Sequence, residues 1–155
     1  MTEAQERQFG IQRIYIKDIS FESPNAPNIF TQNWTPQINV GLATEVTDVG
    51  NGSKELALKV TVNAKHEGKT VFLVEVVQAG VFTVQGFSDE ETDQVMRIGA
   101  ANVIFPYARE TVSDLVARGS FPQFMLQPVN FEALYAQQQQ QAAQAAAGGK
   151  SDSTH

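Results

Sequence analysis

Two long stretches of strict alternation, joined by a turn that sends the chain back on itself, constrain this sequence more than any other feature. Over 56–64, Leu56, Leu58, Val60, Val62 and Ala64 alternate with Ala57, Lys59, Thr61 and Asn63. Successive strand side chains point to opposite faces, so a period of two predicts a strand with one apolar face. His66-Glu67-Gly68-Lys69 follows as a hairpin turn, with Gly at the permissive position. The return strand, 70–78, places Phe72, Val74 and Val76 on one face and Leu73, Glu75 and Val77 on the other. Gly80 marks a bend before Val81-Phe82-Thr83-Val84 continues the pattern. Whatever else the chain does, it must build onto an antiparallel hairpin.

Two further strands precede this one. The stretch 9–21, FGIQRIYIKDISF, is rich in Ile and aromatic residues. Its alternation slips between Ile11 and Ile14, which predicts a bulge or burial on both sides. Ile38, Val40 and Leu42 alternate with Asn39 and Gly41, a strand with one buried face, and Gly50-Asn51-Gly52-Ser53 is a turn. Between these strands, Pro24 and Pro27 exclude both a helix and a central strand. Phe30, Trp34 and Pro36 make that connection unusually apolar for a loop.

The helical part comes last. Ser88 and Glu91 stand at capping-box spacing, and Asp89, Glu90 and Asp93 add negative charge where the helix dipole favours it. A helix over 88–118 turns Val95, Met96, Ile98 and Gly99 inward, then Val112, Leu115 and Val116. Pro106 predicts a break or kink, and Gly119 a C-terminal cap. A connector carrying Phe121, Phe124, Met125 and Leu126, punctuated by Pro122 and Pro128, leads to a short helix over 131–135 capped by Asn130. Residues 136–147 are only Gln and Ala, read as a frayed helix end running into a disordered tail over 136–155. With a loose leader over 1–8, the expected organisation is one domain over 9–135. Strands grouped before helices predict an α+β fold: a four-stranded antiparallel sheet packed by a long kinked helix and a short C-terminal helix.

Composition narrows the function. At 155 residues, 42% hydrophobic and 18% charged, the chain is a single globular domain in size and character. A net charge of −6, with few and scattered Lys and Arg, argues against nucleic acid as a partner. The absence of Cys excludes disulfides, thiolate chemistry and Cys-ligated metals. The N-terminal residues lack the apolar core of a signal peptide, and no apolar run approaches a bilayer span, so a soluble chain is expected. Both histidines, His66 in the hairpin turn and His155 at the end, read as surface groups. Phosphate-cradling, dinucleotide and nucleophile-elbow motifs are absent, and the acids at 89–93 lack Ca-loop spacing. No catalytic residue, metal site or cofactor is expected; the chain reads as a binding protein. Two places stay open. The Leu73–Glu75–Val77 stripe fits a solvated strand face and a contact surface equally well. Phe21, Phe30 and Trp34 fit both a plug at the end of the core and a groove for apolar segments.

Four blocks of sequence carry a resemblance. They are I-Q-R-I-Y-I-K-D-I-S-F-E-S-P-N-A-P at 11–27, F-P-Y-A-R-E at 105–110, R-G-S-F-P at 118–122 and P-V-N-F-E-A-L at 128–134. In this order and spacing, the chain resembles the SecB family of bacterial protein-export chaperones over about 9–135. The resemblance implies a homotetramer, a dimer of dimers, with long helices between sheets. It implies a cytoplasmic protein that holds secretory precursors unfolded without ATP and delivers them to the SecA motor. By motif, the SecA-binding residues fall on Asp18, Glu22, Leu73 and Glu75. The client-binding groove implicates Phe21, Phe30 and Trp34, with Leu126, Val129, Phe131, Leu134 and Tyr135. A SecB-like chaperone of a toxin–antitoxin system is the alternative within the same fold; the joint presence of Asp18, Glu22 and Glu75 favours export.

Overall fold

The computed structural model describes residues 6–152, with side chains described through residue 147. Four strands form one antiparallel sheet: β1 (Gln8–Glu22), β2 (Gln37–Gly50), β3 (Ser53–His66) and β4 (Lys69–Gln85). Their order in the sheet is β1-β4-β3-β2, which leaves β1 and β2 as edges. The two turns behave as their residues require. Glu67 and Gly68 take φ of 50° and 77°, the pattern that matches strand twist in a two-residue hairpin. Gly50, Asn51 and Gly52 all take positive φ in the β2–β3 turn. The expected slip in β1 is a register shift between Ile11 and Arg13, and a second lies between Ile16 and Asp18.

One face of the sheet carries the core. Leu56, Leu58, Val60, Val62 and Ala64 of β3, with Phe72, Val74, Val76 and Phe82 of β4, are all essentially inaccessible. Against them lies a continuous helical rod made of α1 (Asp89–Gln94), a π-helical turn (Val95–Ala100) and α2 (Ala101–Arg118). Ser88 caps it: its side chain accepts from the Glu91 N–H, and the Glu91 carboxylate accepts from the Ser88 N–H, the reciprocal pair the spacing predicts. Ala101, Ile104, Phe105, Ala108, Val112 and Val116 are buried, a spacing of three and four that draws one stripe down α2.

Three expectations are corrected. The helix does not break at Pro106; α2 runs through it, with the ring exposed, and the irregularity is the π-helical turn upstream. The apolar face of β2 is covered only in part: Ile38 and Val40 are 37% and 47% exposed. The rod lies mainly over β3 and β4 and touches β2 only through its π-helical turn, so Ile38 and Val40 stay open. The last helix is not short: α3 extends over Phe131–Asp152, where a disordered tail was expected. Gln and Ala are strong helix formers, so intrinsic propensity carries a segment whose side chains are fully exposed from Gln139 to Ala147. Residues 153–155, including His155, and residues 1–5 of the expected leader lie outside the described residues. Of that leader, Arg7 pairs with Glu91 at 2.6 Å and lies over the Phe87 ring.

Candidate functional site

Two surfaces deserve separate construction, one on each side of the sheet. On the core side, the crossover after β1 brings its aromatic residues to the end of the hydrophobic layer. Phe121, in the connector after α2, is the hub. Its ring centroid lies 5.1 Å from Phe72, 5.4 Å from Phe30, 5.8 Å from Trp34 and 6.3 Å from Phe21. Gly119 lies so close to the Phe21 ring that no side chain fits there. Phe121 is buried, Phe21 and Trp34 are half-buried, and Phe30 is exposed, so the cluster grades from core to surface. Phe21, Phe30 and Trp34 are therefore brought together as one group. Phe121 was not singled out beside them in the sequence because it stands some ninety residues away in the chain.

Three residues on from Phe121 the connector begins to wall an apolar groove of about 400 Å³. Its floor is Ile38, Val40 and Leu42 of β2, with Phe105 of α2 alongside, and its far wall is the connector from Phe124 through Val129. Leu126 lines it while itself buried, and Met125 stands 58% exposed at the rim. Phe131 is placed differently: it is buried edge-on against Phe105 at 5.8 Å and supports the wall from below. Leu134 packs half-buried on the core. The Tyr135 hydroxyl donates to Asp93 at 3.1 Å, and its pKa is raised by burial and by that bond. Asp93 also accepts from Arg97 at 2.8 Å, and Arg97 donates to the Thr44 carbonyl at 3.2 Å. One carboxylate thus ties α3 to the helical rod, and through Arg97 to β2, at the end of the groove.

The opposite face of the sheet has no helix over its centre. Register sets Asp18 opposite Val77, Ser20 opposite Glu75 and Glu22 opposite Leu73. Asp18, Glu22, Leu73 and Glu75 therefore share this outer face, with Glu75 diagonal to both of the β1 acids. Asp18 and Glu22 are exposed, while Leu73 and Glu75 are half-buried. Glu75 is paired with Lys59 of β3 at 3.0 Å. Further along the face, the Tyr15 hydroxyl donates to Glu55, which also accepts from Lys17 at 3.0 Å. Burial and the adjacent carboxylate push the Tyr15 pKa up to about 12. Burial raises the Glu55 pKa, but bonds from Tyr15 and Lys17 outweigh it and the net shift is downward.

Among the described residues no group of three or more His, Asp or Glu is placed to hold a metal ion. His66 sits half-buried beside the crossover, where its Nδ1 accepts from the Thr35 N–H at 3.4 Å. It lines a polar hollow of about 170 Å³ with Asn25 and Lys69. Among the described residues no helix is long and apolar enough to cross a membrane.

Comparison with known proteins gives this geometry a family. The family model described as preprotein translocase subunit SecB matches residues 2–142. The protein-export protein SecB of Alcanivorax borkumensis is 53% identical over 141 residues, covering 89% of this chain and 90% of its own. That of Methylococcus capsulatus is 49% identical over 133 residues, covering 86% of each. Among solved structures, a SecB-like chaperone of Mycobacterium tuberculosis, in complex with a peptide from an antitoxin, superposes with a TM-score of 0.62. It is 18% identical and covers 78% of this chain and 90% of its own, a likeness of fold. Taken with a match that runs through sheet, rod and connector alike, these relatives establish that the chain belongs to the SecB family.

Proposed function

We propose that this chain is an export chaperone of the cytoplasm that holds secretory precursors unfolded, without ATP, and passes them to SecA. The observation that carries the reading is the open apolar groove between β2 and the connector from Phe124 through Val129. A protein that must hold many sequences needs non-directional attraction, and apolar burial supplies it at about 25 cal/mol per Å². Grooves repeated on a homotetramer, a dimer of dimers, would hold one long client by several modest contacts, tight in sum and still releasable. On this reading the protein is not an enzyme and needs no cofactor. Phe21, Phe30, Trp34, Leu126 and Val129 take up client side chains; Phe131, Leu134 and Tyr135 shape the groove from beneath and beside it. Asp18, Glu22, Leu73 and Glu75 receive a basic part of SecA on the far face.

Service to a toxin–antitoxin pair is the second reading. It draws on the antitoxin peptide bound to the mycobacterial neighbour, which resembles this chain in fold alone. The relatives named for protein export share about half of its residues and favour the first reading.

The two surfaces make the proposal testable. Glu75→Lys leaves the core untouched and replaces attraction with repulsion, so SecA affinity should fall at least about ten-fold and lose much of its salt sensitivity. Holding of an unfolded precursor should be unchanged. Trp34→Ala should do the converse. Each variant is titrated with SecA and with an unfolded precursor after circular dichroism shows a native fold. If Glu75→Lys binds SecA like the parent, or both activities fall together, the two-surface reading fails.

A further inference from the structure

The outer face is not simply acidic, because a lysine is built into it. Lys59 and Glu75 lie on adjacent strands, diagonal across the register in which Lys59 faces Val77 and Thr61 faces Glu75. Their side chains meet at 3.0 Å, with Lys59 52% and Glu75 35% exposed. On the other side of Lys59, β2 sets Ala43 opposite it, with Glu45 two residues further along and opposite Ala57. Ala43, Ala57 and Val77, all short, leave a shallow hollow of about 330 Å³ between these strands, with Glu45 and Lys59 at its rim. One ammonium group is thus paired with a carboxylate of β4 and shares a small apolar hollow with Glu45 of β2.

From this arrangement we infer that Lys59 is an internal competitor for the acidic surface, setting how tightly and how selectively a cationic partner segment binds there. The inference rests on the reading of this face as the SecA surface. A lysine or arginine of the partner reaches Glu75 by displacing the Lys59 ammonium, which swings back into water on its own flexible stem. Exposed ion pairs of this kind are weak, so displacement costs the partner a factor of about two to five in affinity. A single stray cation gains little over what Lys59 already provides. A partner that brings several cations in register with Asp18, Glu22 and Glu75, plus an apolar side chain for the hollow, gains enough to win. Specificity therefore comes partly from what the surface already holds. Lys59 also stands ready to re-pair with Glu75 as the partner leaves, which favours release.

The test uses the full chain and purified SecA, with Lys59→Met, Lys59→Arg, Glu75→Gln and the double variant Lys59→Met/Glu75→Gln. Met keeps the apolar stem and removes the charge. Lys59→Met should bind SecA about two- to five-fold more tightly at low salt, with a steeper loss as salt rises. Lys59→Arg should match the parent, and Glu75→Gln should erase the gain in the double variant. Retained holding of an unfolded precursor shows that each variant is native. If Lys59→Met binds equally or more weakly while Glu75→Lys still abolishes binding, Lys59 positions Glu75 and does not compete for it, and the inference is overturned. If Glu75→Lys itself binds like the parent, it is the SecA surface that fails, and the inference falls with it.

Discussion

Gly80 shows how much of this fold hangs on one missing side chain. It sits mid-strand in β4, opposite Ile14, under the first turn of α2. A Cβ there would lie 2.8 Å from the Ile104 methyl and 2.9 Å from the Arg13 carbonyl oxygen. The methyl has some freedom, but the carbonyl belongs to β1 next to its first bulge and can move only with the strand. Gly80→Ala should therefore destabilise the protein by about 1–3 kcal/mol, the usual cost of overpacking. Gly41→Ala is the control: its nearest neighbour is 3.9 Å away, so the change should be close to neutral. Urea unfolding followed by circular dichroism measures both, as a lower midpoint at unchanged slope for the first and no lowering for the second. The sequence marked Gly80 as a bend; that the reason is the approach of α2 becomes visible only once helix and strand are placed together.

At the scale of elements, legibility followed contrast between faces. β3 was readable because it has one apolar and one polar side, and the turn at 66–69 sets β4 beside it, so even their pairing is implied. Continued without a bulge, the register of the His66–Lys69 turn would set Val60 opposite Glu75, an apolar residue against a charged one on the same face. The shift between Ala64 and Lys65 corrects this and brings Val60 to Val76. The Lys59–Glu75 pair is a product of that single bulge, which is why composition alone could not reveal it. α3 was misread for the opposite reason. A segment of Gln and Ala has no contrast between faces, so periodicity says nothing and propensity decides. The part of α3 that packs on the core ends by Gln138. Deleting 139–155 should therefore lower helical ellipticity while leaving the unfolding midpoint within about 0.5 kcal/mol of the parent, as for changes away from packed features. A large drop in stability would show that the distal helix packs against something in the assembled protein.

For the whole molecule, the question is what covers the flanks of the helical rod. On the β1 side Ile11, Ile16 and Ile19 are 54%, 47% and 44% exposed, and Tyr107 on α2 is 47% exposed. Among the described residues no further helix or strand lies over them. Clustered apolar exposure of this kind fits the proposed assembly. Sedimentation equilibrium should therefore return the mass of a tetramer at micromolar concentration; a stable monomer would contradict the proposed assembly. On the proposed reading the groove on the β2 side stays open for clients, so the two flanks take different roles despite similar exposure. Between them stands the chain's single tryptophan, edge-on to Phe121 at the mouth of the aromatic cluster. Indole emission depends on the polarity around the ring, and excitation at the red edge selects indole over tyrosine. The light this protein emits therefore comes from one half-buried ring at the proposed client entrance, and the native sequence carries its own optical gauge of occupancy, with no label to attach.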